Sequence, residues 1–215
     1  MASVINIYNM ALSRIGVTQR VASLTEETEN RRVCSLWYEQ CRDTVLRAHP
    51  WGFAKTVQAL ALLSESPPPG WALAYAYPTD CVLARQITTS AGARLASLSP
   101  YGYEPMAMAY TNSRIPFDQQ YSAYTSQRII ATDQSDAYLV YTSRVTDSLL
   151  FDSLFTNTLA WLLAKEAGAA LRAETRLVTA AGQEYASALH LASAMTQNER
   201  VPDIIPDSPS ISVRG

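Results

Sequence analysis

The chain has 215 residues, with 17 basic and 19 acidic side chains and a formal net charge of −2. Its apolar fraction of 48% and charged fraction of 17% exclude a wholly disordered protein and allow a real core. The near-neutral balance argues against a broad nucleic-acid grip, because that needs clustered positive charge.

Lys55 and Lys165 are the only lysines; every other basic residue is arginine. Arginine is enriched at protein interfaces, where its weakly hydrated guanidinium pairs well. No stretch approaches the ~20 apolar residues of a membrane span. The best candidate, 153–164, is short and holds Thr156, Asn157 and Thr158. The N-terminus lacks a basic region ahead of an apolar one, so it reads as a helix and not a signal peptide. Cys34, Cys41 and Cys81 make no disulfide framework. They read as buried small hydrophobes of a chain that folds in a reducing cytoplasm.

Proline divides the chain. Eight of the 11 prolines fall from Pro50 to Pro116 and three in the last 14 residues. Helix interiors exclude proline, so the order expected is helices, a mixed region, helices, then a tail.

Val4, Tyr8, Ala11, Leu12 and Ile15 recur at helical spacing, and Gly16 supplies a stop. Ser23 to Glu26 fits a capping box for a second helix, with Thr25 as an alternative cap. Glu26, Glu27 and Glu29 suit the positive end of its dipole. Val33, Leu36, Trp37, Cys41, Val45 and Leu46 form its expected apolar stripe, and His49-Pro50 closes it.

From about Trp51 to Thr146 the chain reads as strands and loops. Leu73, Tyr75 and Tyr77 alternate with alanines, and 121–130 and 136–144 are Tyr-, Thr- and Ile-containing runs around a turn at Asp133–Asp136. Asp147 is the expected cap of a third helix over 149–171 that is apolar on several faces. Such a helix must be buried on several sides, which in a chain this size suggests a subunit interface at Phe151, Phe155 and Trp161. An alanine-rich fourth helix is expected over 176–197. Residues 200–215 carry Val201, Pro202, Asp203, Ile204, Ile205, Pro206, Ile211 and Val213. They can reach about 50 Å when extended, and their spaced β-branched residues suit a tail that docks on a neighbour as an added strand.

Chemistry is sparse. His49 and His190 sit in unrelated settings, and His49 at a helix end suits carbonyl capping. There is no metal-ligand spacing, phosphate loop or nucleophile elbow, so no cofactor and no metal are expected. Asp133 and Asp136 could serve a glycosidase only at a defined separation in a cleft, and a turn explains them. Tyr101-Gly-Tyr103 could stack glycans, although a Tyr-rich strand or loop explains it. Arg31-Arg32 is a small basic patch suited to a solvated face or an intersubunit salt bridge.

Some motifs are more distinctive. Arg14-Ile15-Gly16, Ser23 to Glu29, His49-Pro50-Trp51-Gly52-Phe53-Ala54 and Tyr75-Ala-Tyr77-Pro78 with Asp80-Cys81 resemble the tail tubular protein A, or head-to-tail adaptor, family of short-tailed bacteriophages. The likeness covers most of the chain and is sharpest over roughly its first 80 residues. It implies a structural virion protein, not an enzyme. Members form a ring, commonly of 12 subunits, between the portal and the tail nozzle, through which genomic DNA passes without sequence-specific binding. It implies a C-terminal tail set against the portal, a location at the portal vertex of the virion tail, and assembly in the host cytoplasm.

The fold class expected is α+β: an α-helical bundle of four main helices, two N-terminal and two C-terminal, with a β-rich insertion and an extended tail. Residues 1–48 and 147–199 form the bundle, 49–146 the insertion and 200–215 the docking tail. The competing functions are a tail-associated cell-envelope glycan hydrolase and a carbohydrate-binding module.

Overall fold

A computed structural model of the protein describes residues 3–90, 93, 115–122, 124 and 126–198. Helix α1 spans Val4–Arg14 and starts at Ser3, whose hydroxyl accepts from the Asn6 amide at 3.2 Å. It stops at Gly16, which sits at φ +78° with its backbone against Leu177. A side chain at that φ is strained, and a Cβ would lie 3.3 Å from the Leu177 Cδ1. Gly16→Ala is therefore expected to cost about 1–2 kcal/mol; urea denaturation checks this, and no loss would contradict it.

Helix α2 spans Glu29–Ala48 and is capped by Thr28, not by Ser23 or Thr25. The Ser23–Glu26 segment forms a turn of its own. The Glu26 carboxylate accepts from the amides of Ala22 and Ser23 and from the Thr28 hydroxyl. The Ser23 hydroxyl accepts from the Thr25 amide, and the Glu26 amide donates to the Ser23 carbonyl, so these residues close a turn ahead of the helix. The α2 stripe is also rotated from the expected one: Leu36 is 72% exposed, while Cys34, Tyr38 and Arg42 are buried. Tyr38 meets Tyr8 of α1 edge-on at 5.5 Å, which turns that face inward.

Asp147 caps only a short 3-10 turn, Ser148–Leu150. Helix α3 starts later, spans Ser153–Ala170 and is capped by Asp152, whose side chain accepts from the Phe155 amide. Helix α4 spans Thr175–Asn198. The two form an antiparallel hairpin that closes tightly at Gly168. A Cβ there would lie 2.9 Å from Val178 and 3.2 Å from Ile15, so only glycine lets the three helices approach so closely.

The expected fold is corrected by the strands. Among the described residues they do not form an insertion on a bundle but two separate three-stranded antiparallel sheets. Strands β1 (Lys55–Ala59), β6 (Tyr138–Ser143) and β3 (Cys81–Thr88) form the first, in that order, with Val57 opposite Val140. Strands β2 (Leu73–Ala76), β5 (Gln127–Thr132) and β4 (Phe117–Ser122) form the second, with Tyr75 opposite Ile130. The single run expected over 121–130 is in fact a hairpin from β4 into β5.

Tyr75 and Ile130 of the second sheet share a core with Cys81, Ala84, Ile87, Leu139 and Tyr141 of the first. Val82 on β3 belongs instead to the helical core. The first sheet is therefore a middle layer, which explains why β6 is buried along Leu139–Thr142. The expected tail, 200–215, lies outside the described residues.

Candidate functional site

Arg14 ends α1 with its side chain laid across α3. It donates to the Asn157 carbonyl at 3.1 Å and to the Asn157 Oδ1 at 2.6 Å. Its guanidinium lies 3.9 Å from the centre of the Trp161 ring, a cation–π contact. Burial pulls the Arg14 pKa down to about 10, against the pull of Glu184. Arg14 thus clamps helices; it is not offered to a ligand.

The segment after α2 is an aromatic joint. The Trp51 Nε1 donates to the Val45 carbonyl at 2.8 Å. Its ring stands edge-on to Phe155 at 5.1 Å and to His49 at 4.8 Å. Phe53 meets Phe155 at 5.1 Å. Polar bonds then tie α2 to the first sheet. Arg47 donates to the Val82 carbonyl, and Arg85 to the His49 carbonyl and the Thr142 hydroxyl. Asp43 accepts from both Arg42 and Arg144, each at 2.9 Å. Asp80 accepts from the Tyr141 hydroxyl at 3.0 and 3.2 Å. Burial raises the Tyr141 phenol, and its bond to Asp80 raises it further.

His49 is 6% exposed. Burial, with the Arg85 guanidinium nearby, pulls its imidazole down from 6.5 to about 4. The folded chain therefore binds a proton less readily than the unfolded one. The stability this gives is full above pH 6.5 and is lost as pH falls toward 4. His49→Gln should flatten the rise of stability with pH between those limits, relative to the native chain under the same titration of carboxylates. Unchanged slopes in parallel denaturation series would refute it.

The interface residues expected from the sequence occupy different settings. Phe151 and Phe155 are 6% and 0% exposed and lie in the chain's own core. Trp161 is half-buried beneath Arg14. Arg31 donates its Nε to the Glu26 carbonyl at 2.7 Å. Arg32 is exposed and pairs with Glu27 at 2.6 Å. The apolar faces of α3 are covered by α1, α2 and α4 of the same chain. A neighbouring subunit is not needed to bury them. The apolar residues that do reach the surface are others, including Leu36, Leu149, Leu150, Leu191 and Met195. Val201, Pro202, Asp203, Ile204, Ile205, Pro206, Ile211 and Val213 lie outside the described residues.

The two aspartates considered for glycosidic chemistry are engaged in a turn. The Asp133 Oδ1 accepts from the Ala72 amide at 2.8 Å, and Asp136 sits at φ +57°. Tyr101 and Tyr103 lie outside the described residues. Burial raises the Cys34 and Cys41 thiols to about 12, which keeps them protonated and unreactive. Among the described residues no group of three or more His, Cys, Asp and Glu could hold a metal ion. Among them also, no helix is long and apolar enough to cross a membrane.

An open groove of ≈1030 Å³ runs along α1, the loop after it and the start of α3. Met10, Val17 and Phe151 supply apolar walls, with Asn6, Ser13 and Ser153 as polar ones. Arg20 is its charged lining residue, exposed and without an ion pair among the described residues. Asn9 fixes the loop in place by donating to the Val21 carbonyl and accepting from the Val21 amide, at 2.9 and 2.8 Å. The sequence carries no signal for this groove, because it arises from helices distant along the chain.

The chain matches no known family model, and no curated protein matches it significantly.

Proposed function

We propose that the chain is a structural virion protein, a head-to-tail adaptor of a short-tailed bacteriophage. Its subunits, commonly 12 in the family it resembles, ring the DNA path between the portal and the tail nozzle. The observation that carries the reading is the set of motifs at Arg14–Gly16, Ser23–Glu29, His49–Ala54 and Tyr75–Cys81.

The setting of these residues supports it. Arg14 clamps α1 to α3, Trp51 and Phe53 form the aromatic joint, and Asp80 anchors Tyr141. They are architectural residues, as expected where the shared feature is a scaffold and not a reaction. A net charge of −2 suits a conduit that should not retain the DNA it passes. The exposed apolar residues of α2, α4 and the turn before α3 give neighbouring subunits material for an interface. In this reading residues 200–215 meet the portal, no cofactor takes part, and assembly occurs in the host cytoplasm.

Electron microscopy of virions labelled with an antibody against the chain tests the location. Label at the portal vertex is expected. Label on the capsid faces, or none on intact and disrupted virions, would refute the proposal.

A further inference from the structure

We propose that the groove along α1 receives the chain's own C-terminal segment, residues 201–213, within the same subunit. Three observations carry it.

The first is where the described chain ends. In the α3–α4 hairpin Gly182 lies against Lys165, and Val178 against Gly168. Counting equal rises along both helices brings Ser153 level with the region of Ala194, so Asn198 stands about one turn beyond it. Packed helix axes are about 8–10 Å apart. The last residue of α4 therefore lies at the end of the hairpin where Phe151 and Ser153 wall the groove. The residues that follow could reach about 55 Å if extended, several times what is needed.

The second is charge. Residues 201–213 contain Asp203 and Asp207 and no basic residue. The charged lining residue of the groove is Arg20, exposed and without an ion pair among the described residues.

The third is apolar match. Ile204 and Ile205 stand between the two aspartates, and Met10, Val17 and Phe151 offer apolar wall beside Arg20. Prolines at 202, 206 and 209 stiffen the segment, which lowers the entropy lost on docking. Because the tether is short, the effective concentration of the segment at its own groove is about millimolar, above that of any neighbouring copy in dilute solution.

This goes beyond the adaptor proposal. Only its consequence rests on that reading: the segment a portal would take up is held on the subunit until the two meet.

The test uses the full chain without portal. Spin labels are placed through Gln19→Cys, exposed beside the groove, and Ser210→Cys; the native cysteines are buried. Pulsed dipolar spectroscopy is expected to give a short, narrow distance that persists when labelled protein is diluted about tenfold into unlabelled protein, given the tether's advantage. Ile204→Asp with Ile205→Asp should shift it to a long, broad distribution, and Arg20→Glu should shift it partly. A long, broad distribution in the parent chain would overturn the proposal. So would a short distance that dilution abolishes, since that means a neighbour's segment. Neither result touches the adaptor reading, which is tested with portal and virions.

Discussion

Replacing Phe155 with alanine is expected to destabilise the protein by about 3–5 kcal/mol. Its ring is 0% exposed and meets Trp51, Phe53 and Phe151 at 4.6–5.1 Å between centroids. It is the point at which α3 joins the segment leaving α2, so truncation removes apolar burial and leaves a cavity between rigid elements. Trp161→Ala on the same helix should cost clearly less, because that ring is half-buried and its main partner is the Arg14 guanidinium. Chemical denaturation of both variants checks the ranking. A loss below about 1 kcal/mol for Phe155→Ala would show that the aromatic joint does not carry the core.

Trp51→Ala is expected to cost a similar 3–5 kcal/mol. Trp51 is 3% exposed, and its loss also leaves the Val45 carbonyl without the indole donor it now has at 2.8 Å. That carbonyl lies in the last turn of α2, so the damage should reach the helix end and the first sheet together. The two aromatic residues touch, so their effects should not add. The double variant should lose about 0.5–3 kcal/mol less than the sum of the single losses. Strict additivity in a double-mutant cycle would mean that the two rings act on separate parts of the core.

Local signals in the sequence marked the elements well where one rule dominated. Gly16 ends α1 because its φ is positive, and His49-Pro50 ends α2 because the residue before proline leaves the helical region. Where two caps compete, spacing alone could not choose. Thr28 and Asp152 start α2 and α3, while Ser23 and Asp147 start a turn and a short 3-10 turn. Strand partners were not legible. Residues of β1 pair with β6 some 80 positions later, and alternation marks a strand's faces but not its partner. That is why a β-rich insertion was expected and two sheets are found. The apolar character of α3 was legible, but what covers it was not. Three helices of the same chain do so, and this removes Phe151 and Phe155 from the surface.

The proposed function was visible only through motifs, and those motifs turn out to be joints. Arg14 and Trp51 look in sequence like isolated polar and aromatic residues. In the structure each fixes the angle between elements, which is what a subunit that must fit a ring requires of its scaffold.

The most direct test of the adaptor reading is size-exclusion chromatography with light scattering on the full chain mixed with its portal. The reading predicts a complex whose mass corresponds to a ring of subunits on the portal, lost when Arg200–Gly215 is deleted although the chain stays folded. A strict monomer that elutes apart from the portal at every ratio would contradict it.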